Sequence, residues 1–395
     1  GPLVGTEEAP FQPMYLTLED FTQVAKSLSP TSAATDRIMA SYLPGPVEVH
    51  LEVRKAFESG PVSHRSDAFM TDFQNTQKRL CEMTSARSVE ILVGSGSLAN
   101  DAVCGQLTLL KQPGLILSNG EFGERLIDHA TRQGLEFEAH TVEWGQPFDY
   151  SELRRFLASR PNAGWLWAVH CETSTGILND LAALQPMCSE RNVKLCLDCI
   201  SAIGTVPVDL RGVYLASCVS GKALASYPGL SMVFYNHELA PAPKALPRYL
   251  DLGYYSAQAG VPFTHSSNLV YALQTALKRI DWPQKYRHIA EAAVWLRARL
   301  RELRFQIVAP DAHASPAVVS IVLPSEISSK AVGWQLRKEG YLLSYNSEYL
   351  RKRNWIQVCL MGEWSRDHLE SLPVVLAQLC AQRRLRRESA ELQPA

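Results

Sequence analysis

The stretch Val193-Lys194-Leu195-Cys196-Leu197-Asp198, followed further on by Leu215-Ala216-Ser217-Cys218-Val219-Ser220-Gly221-Lys222-Ala223, decides the fold of this chain. Each segment is a short apolar run that ends in a polar group, and such runs read as buried strands. From about residue 88 they alternate with helix-length amphipathic stretches. The pattern predicts strands at Glu90–Val93, Leu115–Ser118, Trp165–His170, Val193–Asp198, Leu215–Val219 and Ser231–Tyr235. Helices are predicted near 98–111, 123–133, 150–159 and 181–191. Strands alternating with helices imply parallel pairing through right-handed crossovers, hence an α/β sheet covered on both faces. In such sheets ligands sit outside the carboxyl ends of the strands. Asp198 and Lys222 both fall there.

A third strand end is Val93-Gly94-Ser95-Gly96-Ser97, a glycine turn that opens a helix. Free N–H groups at a helix start, aided by the dipole, bind phosphate. The segment also reads G-x-G-x-x-A, as in dinucleotide-binding folds. That reading wants an acidic residue closing the next strand, and Leu117-Ser118-Asn119-Gly120-Glu121 is a poor match. It also leaves Asp198 and Lys222 unexplained. A carboxylate at a strand end can pair with a protonated ring nitrogen, or it can merely cap a turn. A lysine among small residues at a strand exit can form a Schiff base once desolvation lowers its pKa; most lysines are instead surface groups. The following Tyr227-Pro228-Gly229 argues for a defined turn around Lys222. The order decides the matter: phosphate loop, carboxylate, lysine.

Composition narrows the partners. Of 395 residues, 46% are hydrophobic and 20% charged, so the chain is globular rather than disordered. A net charge of −1 gives no electrostatic case for nucleic acid or a membrane surface. No apolar run reaches the ~18–20 residues of a membrane span. The nine cysteines are an odd number, several in apolar runs where a free thiol behaves as a small core residue. Cys196 and Cys199 have C-x-x-C spacing without a second pair, so no metal site is expected. Reduced thiols predict a cytoplasmic location.

Outward from the strands, the opening Gly1-Pro2 reads as a protease-cleavage scar. A polar, helix-compatible lead-in covers Leu16 to Leu28, and Leu43-Pro44-Gly45-Pro46-Val47 breaks it. Residues 1–43 are therefore an N-terminal arm and 44–300 the large domain. A long helical pattern runs from Tyr271 through 285–303. Strand-like runs at 317–323 and 355–360, with helices near 329–339 and 366–382, predict a smaller C-terminal α+β domain over 301–395. Arg383 to Arg387 reads as a solvated helix face.

Taken as an ordered set, the motifs resemble those of the class V aminotransferases of pyridoxal 5'-phosphate (PLP) fold type I. The resemblance runs from about residue 43 onward. It rests on Pro44-Gly45-Pro46, His64-Arg65-Ser66, Gly94-Ser95-Gly96-Ser97 and Asn119-Gly120-Glu121-Phe122-Gly123-Glu124-Arg125. It continues through His170-Cys171-Glu172-Thr173-Ser174-Thr175-Gly176, Asp198 and Ser220-Gly221-Lys222. It implies PLP as cofactor and a mostly parallel sheet in the large domain. It also implies a homodimer with shared active sites, acting on a small-molecule amine or amino acid. By the same resemblance Ser95, Gly96 and Ser97 hold the phosphate, Phe122 stacks on the ring and Thr173 contacts its oxygen side. Asp198 pairs with the ring nitrogen, Ile200 packs beneath the ring, and Lys222 forms the Schiff base. Thr264 reaches the neighbouring subunit's phosphate, and Gly45 and Gln357 face the substrate.

Three positions depart from the family pattern. Gly221 stands where some relatives have Gln, and Val261 where a tyrosine is expected. Gln357 stands where relatives carry an arginine that clamps the substrate anion. A neutral amide cannot replace a bidentate guanidinium, a loss of roughly 2–5 kcal/mol. Either Arg351 or Arg353 takes over, or the substrate lacks that anion. The expected activity is a PLP-dependent aminotransferase for a small or specialised amine or amino acid. The alternative on the same scaffold is a lyase, decarboxylase, epimerase or cyclase.

Overall fold

The computed structural model describes residues 39–391. Gly1-Pro2, the Leu16–Leu28 lead-in and the arm up to residue 38 lie outside the described residues, as do the side chains of Arg383 to Arg387. From Met39 onward the chain forms one compact unit. It opens with β1 (Ala40–Tyr42), α1 (Leu51–Phe57) and α2 (Asp67–Thr84). The central elements are β2 (Ser88–Val93), α3 (Gly96–Thr108), β3 (Gly114–Ser118), α4 (Glu121–Gln133), β4 (Phe137–Thr141), α5 (Tyr150–Ala158) and β5 (Trp165–Val169). A small hairpin, β6 (Cys171–Glu172) and β7 (Ile177–Leu178), precedes α6 (Leu181–Ser189), β8 (Lys194–Asp198), β9 (Leu215–Val219) and β10 (Leu230–Tyr235).

These strands make a seven-stranded sheet in the order β2-β10-β9-β8-β5-β3-β4. Pairing from β9 through β4 is parallel, whereas β10 runs against both of its neighbours. The reason is local: Ser220 to Gly229 joins β9 to β10 without a helix, and a parallel crossover needs a dozen residues or more. Side chains alternate between two cores. Leu115, Leu117, Leu166, Ala168, Leu195 and Leu197 enter one, while Ile116, Trp165, Trp167 and Cys196 enter the other. Each fully buried Leu or Ile there contributes about 1.5–3 kcal/mol. Cys196 and Cys199 fall in opposite cores, so the C-x-x-C pair does not converge.

The chain continues through α7 (Leu252–Ala257), α8 (Ser267–Arg279) and α9 (Trp282–Glu302). The helical pattern after Tyr271 is thus two helices. Asp281 divides them, accepting the N–H of Gln284 at 2.9 Å to cap α9, with Pro283 in its first turn. Beyond lie β11 (Gln306–Ile307), β12 (Val318–Val322), α10 (Ser329–Lys338), β13 (Tyr341–Leu343), α11 (Glu348–Arg353), β14 (Trp355–Cys359) and α12 (Arg366–Glu391). β11, β12 and β14 form an antiparallel sheet. β1 pairs in parallel with β13, so the end of the segment read as an arm is built into the C-terminal part. Among the described residues no helix is long and apolar enough to cross a membrane.

Candidate active site

The register sets Val169 opposite Asp198 at the carboxyl ends of β5 and β8, and Asp198 opposite Ser217 in the middle of β9. A cavity of about 190 Å³ opens there. Gly96, Ser97, Phe122, Thr173, Asp198, Ile200 and Lys222 all line it. A larger cavity, about 660 Å³, lies elsewhere and contains none of these residues.

One wall is the start of α3. Ser66, Asp149, Asp180, Ser266, Asp281 and Ser328 all cap their helices through their side chains. Ser95 makes no such bond, which leaves its hydroxyl beside a helix start fit for an anion. At Gly96 a Cβ would lie 2.6 Å from Ile200 Cδ1 and 3.2 Å from Val219 Cγ1, so a side chain would strike the opposite wall. Gly94 N–H donates to Gly229 O at 2.9 Å, tying this loop to the end of the lysine turn.

Asp198 is 5% exposed. Asn100 Nδ2 donates to its Oδ2 and Ile200 N–H to its Oδ1, each at 2.9 Å. Ser217 Oγ donates to Asn100 Oδ1 at 2.7 Å, which fixes the amide's orientation. Burial raises the Asp198 acid; Asn100, Ile200 and Lys222 oppose it. A buried carboxylate held this way gains from a cation placed against its open side.

Lys222 sits in a turn closed by Ser220 Oγ donating to Tyr227 O at 2.6 Å and Ala225 N–H donating to Lys222 O at 2.9 Å. Lys285 Nζ donates to Ala223 O from α9. Burial lowers the Lys222 amine, with Cys359, Asp198 and Cys171 pulling the other way. The amine is therefore closer to its neutral, nucleophilic form. A Cβ at Gly221 would meet Pro228 Cα at 2.7 Å, which explains the glycine at that departure from the family pattern. Gly45, at φ +152°, backs the lysine: a Cβ there would lie 3.3 Å from Lys222 Cγ.

The far wall begins at Phe122, whose ring centroid is 5.9 Å from Lys222 Nζ. The start of α4 has no side chain of its own as a cap. The β6–β7 hairpin supplies one. Glu172 accepts from Gly123 N–H at 2.9 Å and Phe122 N–H at 3.3 Å, while Ser174 Oγ accepts from Glu121 N–H at 3.0 Å. Thr173 Oγ1 and Ser201 Oγ share a hydrogen bond of 2.6 Å.

Of the predicted site residues, Ser95 and Gly45 adjoin the cavity without lining it, and two more lie apart. Gln357 is fully buried on β14 and does not line the cavity. Its Nε2 donates to Thr173 O at 2.6 Å, Ser320 Oγ at 2.8 Å and Ser174 O at 3.0 Å, so it braces the wall from behind. Thr264 is exposed before α8 and likewise lines no part of this chain's cavity. Arg351 is exposed on α11, and the Arg353 guanidinium stacks on Trp144 at 3.8 Å from the ring centroid. The cation that does line the cavity beside Lys222 is Arg125, over Phe122 at 4.9 Å and paired with Glu121. Arg125 closes the Asn119–Arg125 motif, but nothing in the sequence assigns it a role. Asn100 has a signal in its place one helical turn after Gly96, whereas His129 has none.

A sequence model of the family described as Aminotransferase class-V matches residues 32–344. The soluble hydrogenase 42 kDa subunit of Anabaena cylindrica is 30% identical over 365 residues, 87% of this chain and 94% of that protein. A 2-aminoethylphosphonate–pyruvate transaminase of Pseudomonas putida is 26% identical over 302 residues, 72% of this chain and 81% of its own. Among solved structures, an alanine–glyoxylate aminotransferase from Nostoc sp. aligns with a TM-score of 0.77 at 26% identity, covering 89% of this chain and 97% of that one. An aspartate aminotransferase from Thermus thermophilus gives 0.78 at 25%, covering 87% and 99%.

Proposed function

We propose, from the premise that the chain belongs to the class-V aminotransferase family and is a pyridoxal phosphate-dependent aminotransferase, that Lys222 carries the cofactor and that the amino donor is a small or specialised amine or amino acid. The observation that carries this reading is the meeting of Lys222, Asp198 and the uncapped start of α3 around one cavity.

The residues present fit the cofactor. Ser95, Gly96 and Ser97 would hold its phosphate, because the helix start offers N–H groups and a free hydroxyl. Asp198 would pair with the ring nitrogen, a cation that offsets the burial of its carboxylate. Phe122 and Ile200 would pack against the ring, with Thr173 at its oxygen side. When bound, the cofactor supplies the electron sink that lets a proton leave the carbon bearing the substrate amine. Lys222 Nζ, whose pKa burial lowers, would take that proton and return it in the course of the exchange. Gly45 keeps the lysine stem in line by backing its Cγ.

Gln357 has its donors committed to the protein, so a substrate anion would find its counter-charge elsewhere on the wall. A homodimer with shared sites accounts for Thr264, which is exposed and outside its own chain's cavity. The nine free cysteines favour a reducing, cytoplasmic location.

An absorbance spectrum of the purified protein tests the central assignment. Wild type should show a near-ultraviolet to visible band that borohydride removes, and Lys222→Ala should lack it. Activity in that variant should fall by about 10²–10⁴-fold or more. A protein that stays colourless after pyridoxal phosphate is added would overturn the reading.

A further inference from the structure

Three residues of α4 line the cavity around Lys222: Phe122, Arg125 and His129. Their spacing along the chain turns one face of the helix to the site. Phe122 packs against the ring in the reading above, and Arg125 is paired with Glu121. His129 has no part in that account. Its side chain is mostly buried, with its ring centroid 6.5 Å from that of Trp167. Nδ1 lies 2.6 Å from Asp101 Oδ1. A carboxylate only accepts, so Nδ1 carries the hydrogen of this bond and Nε2 is left on the opposite edge of the ring. Asp101 follows Asn100 directly on α3 and is half-exposed. One helix thus holds Asp198 with the first of two consecutive residues and His129 with the second.

Asp198 has donors but no fixed counter-charge. Asn100 and Ile200 N–H are neutral groups. Burial raises the Asp198 acid, and the charges of Lys222 and His129 are among the influences that oppose it. The Lys222 amine is committed to the cofactor in the reading above, which leaves His129. The elements packed against α4 bring no other cation to its ring: α3 carries Asp101 as its only charge, β3 and β5 carry none, and β6 offers Glu172 at the start of α4. On α4 itself Arg125 pairs with Glu121 and Arg132 with Asp128. We propose that His129, oriented by Asp101, is a positioning residue for the cofactor, presenting Nε2 to the cavity and keeping Asp198 in the ionised form that pairs with the ring nitrogen. The inference rests on the cofactor occupying this cavity.

Titrating the apoenzyme with pyridoxal phosphate and with its 1-deaza analogue, read by quenching of tryptophan fluorescence, tests this. The analogue keeps the aldehyde and the phosphate but has C–H in place of the ring nitrogen. His129→Phe keeps a ring against Trp167, and should weaken pyridoxal phosphate by about ten-fold while changing the analogue by less than about two-fold. Asp101→Asn alters a half-exposed group and should move the natural cofactor the same way by roughly three-fold, again sparing the analogue. If His129→Phe does not fold, Asp101→Asn decides the matter with the same two ligands. Equal losses for both ligands would make His129 a structural part of the wall and overturn the proposal, as would no loss for either. Wild-type apoenzyme that binds neither would overturn the cofactor reading itself, and this inference with it.

Discussion

Gln357 illustrates how one buried side chain can brace the wall of a cavity that it does not itself line. Its amide nitrogen serves three acceptors, on Thr173, Ser174 and Ser320, and its oxygen takes the Tyr349 hydroxyl at 3.3 Å. Gln357→Ala strands those buried acceptors and leaves a void, a combined loss of about 2–4 kcal/mol. A thermal melt should fall by several degrees, and binding of the cofactor, read by its absorbance, should weaken because Thr173 loses its brace. An unchanged melt would show that the amide is not structural. At this scale Asp198 and Lys222 were legible in sequence because a polar residue closing a buried strand has few places to go. The bracing by Gln357 was not, since its acceptors are supplied by strands and a hairpin far away in the chain. Asn100 was half-legible: its helical spacing from Gly96 turns it toward the site, but its partner Asp198 comes only with the sheet.

Among the elements, α4 depends on a cap borrowed from the β6–β7 hairpin. Glu172 supplies it from a fully buried position, and burial pushes its acid up to about 7 from an ordinary 4.5. The folded protein therefore holds this proton more tightly than the unfolded chain. Its contribution to stability is fully present below about pH 4.5 and declines as pH rises to about 7. Glu172→Gln removes that slope and turns an amide N–H₂ toward the donors of α4, at a cost of about 1–2 kcal/mol. Melts of the two proteins should differ most near pH 5 and draw together toward pH 7. A gap that widens with pH would contradict the role given to Glu172. The strands of the sheet were readable because they are continuous apolar runs. β4 was not, for Phe137-Glu138-Ala139-His140-Thr141 is a partly exposed edge strand with no clear alternation. The reversal of β10 also escaped the pattern, since periodicity carries no strand direction.

At the scale of the whole molecule, Thr264 lies outside the cavity that Lys222 lines, and the proposed dimer would bring the two together across two chains. Lys222→Ala and a bulky acidic change, Thr264→Glu, should each abolish activity alone. Mixed, unfolded and refolded together, they should recover about a quarter of wild-type activity, because half the dimers are mixed and each has one intact site. No recovery, with dimers present by light scattering, would show that each site is complete within one chain. The fold class was legible because α/β alternation dictates a covered sheet. How the two ends of the chain combine was not, because it rests on a contact between distant segments.

That contact has a consequence for how the protein is made. Ala40 pairs with Tyr341 and Tyr42 with Leu343, so the strand that emerges early from the ribosome finds its partner roughly 300 residues later. Until that partner is made, its backbone N–H and C=O groups face water or other segments, an open edge of the kind that recruits wrong neighbours. The central sheet can form as its strands appear, but β1 is paired only once β13, some 300 residues further on, has been delivered.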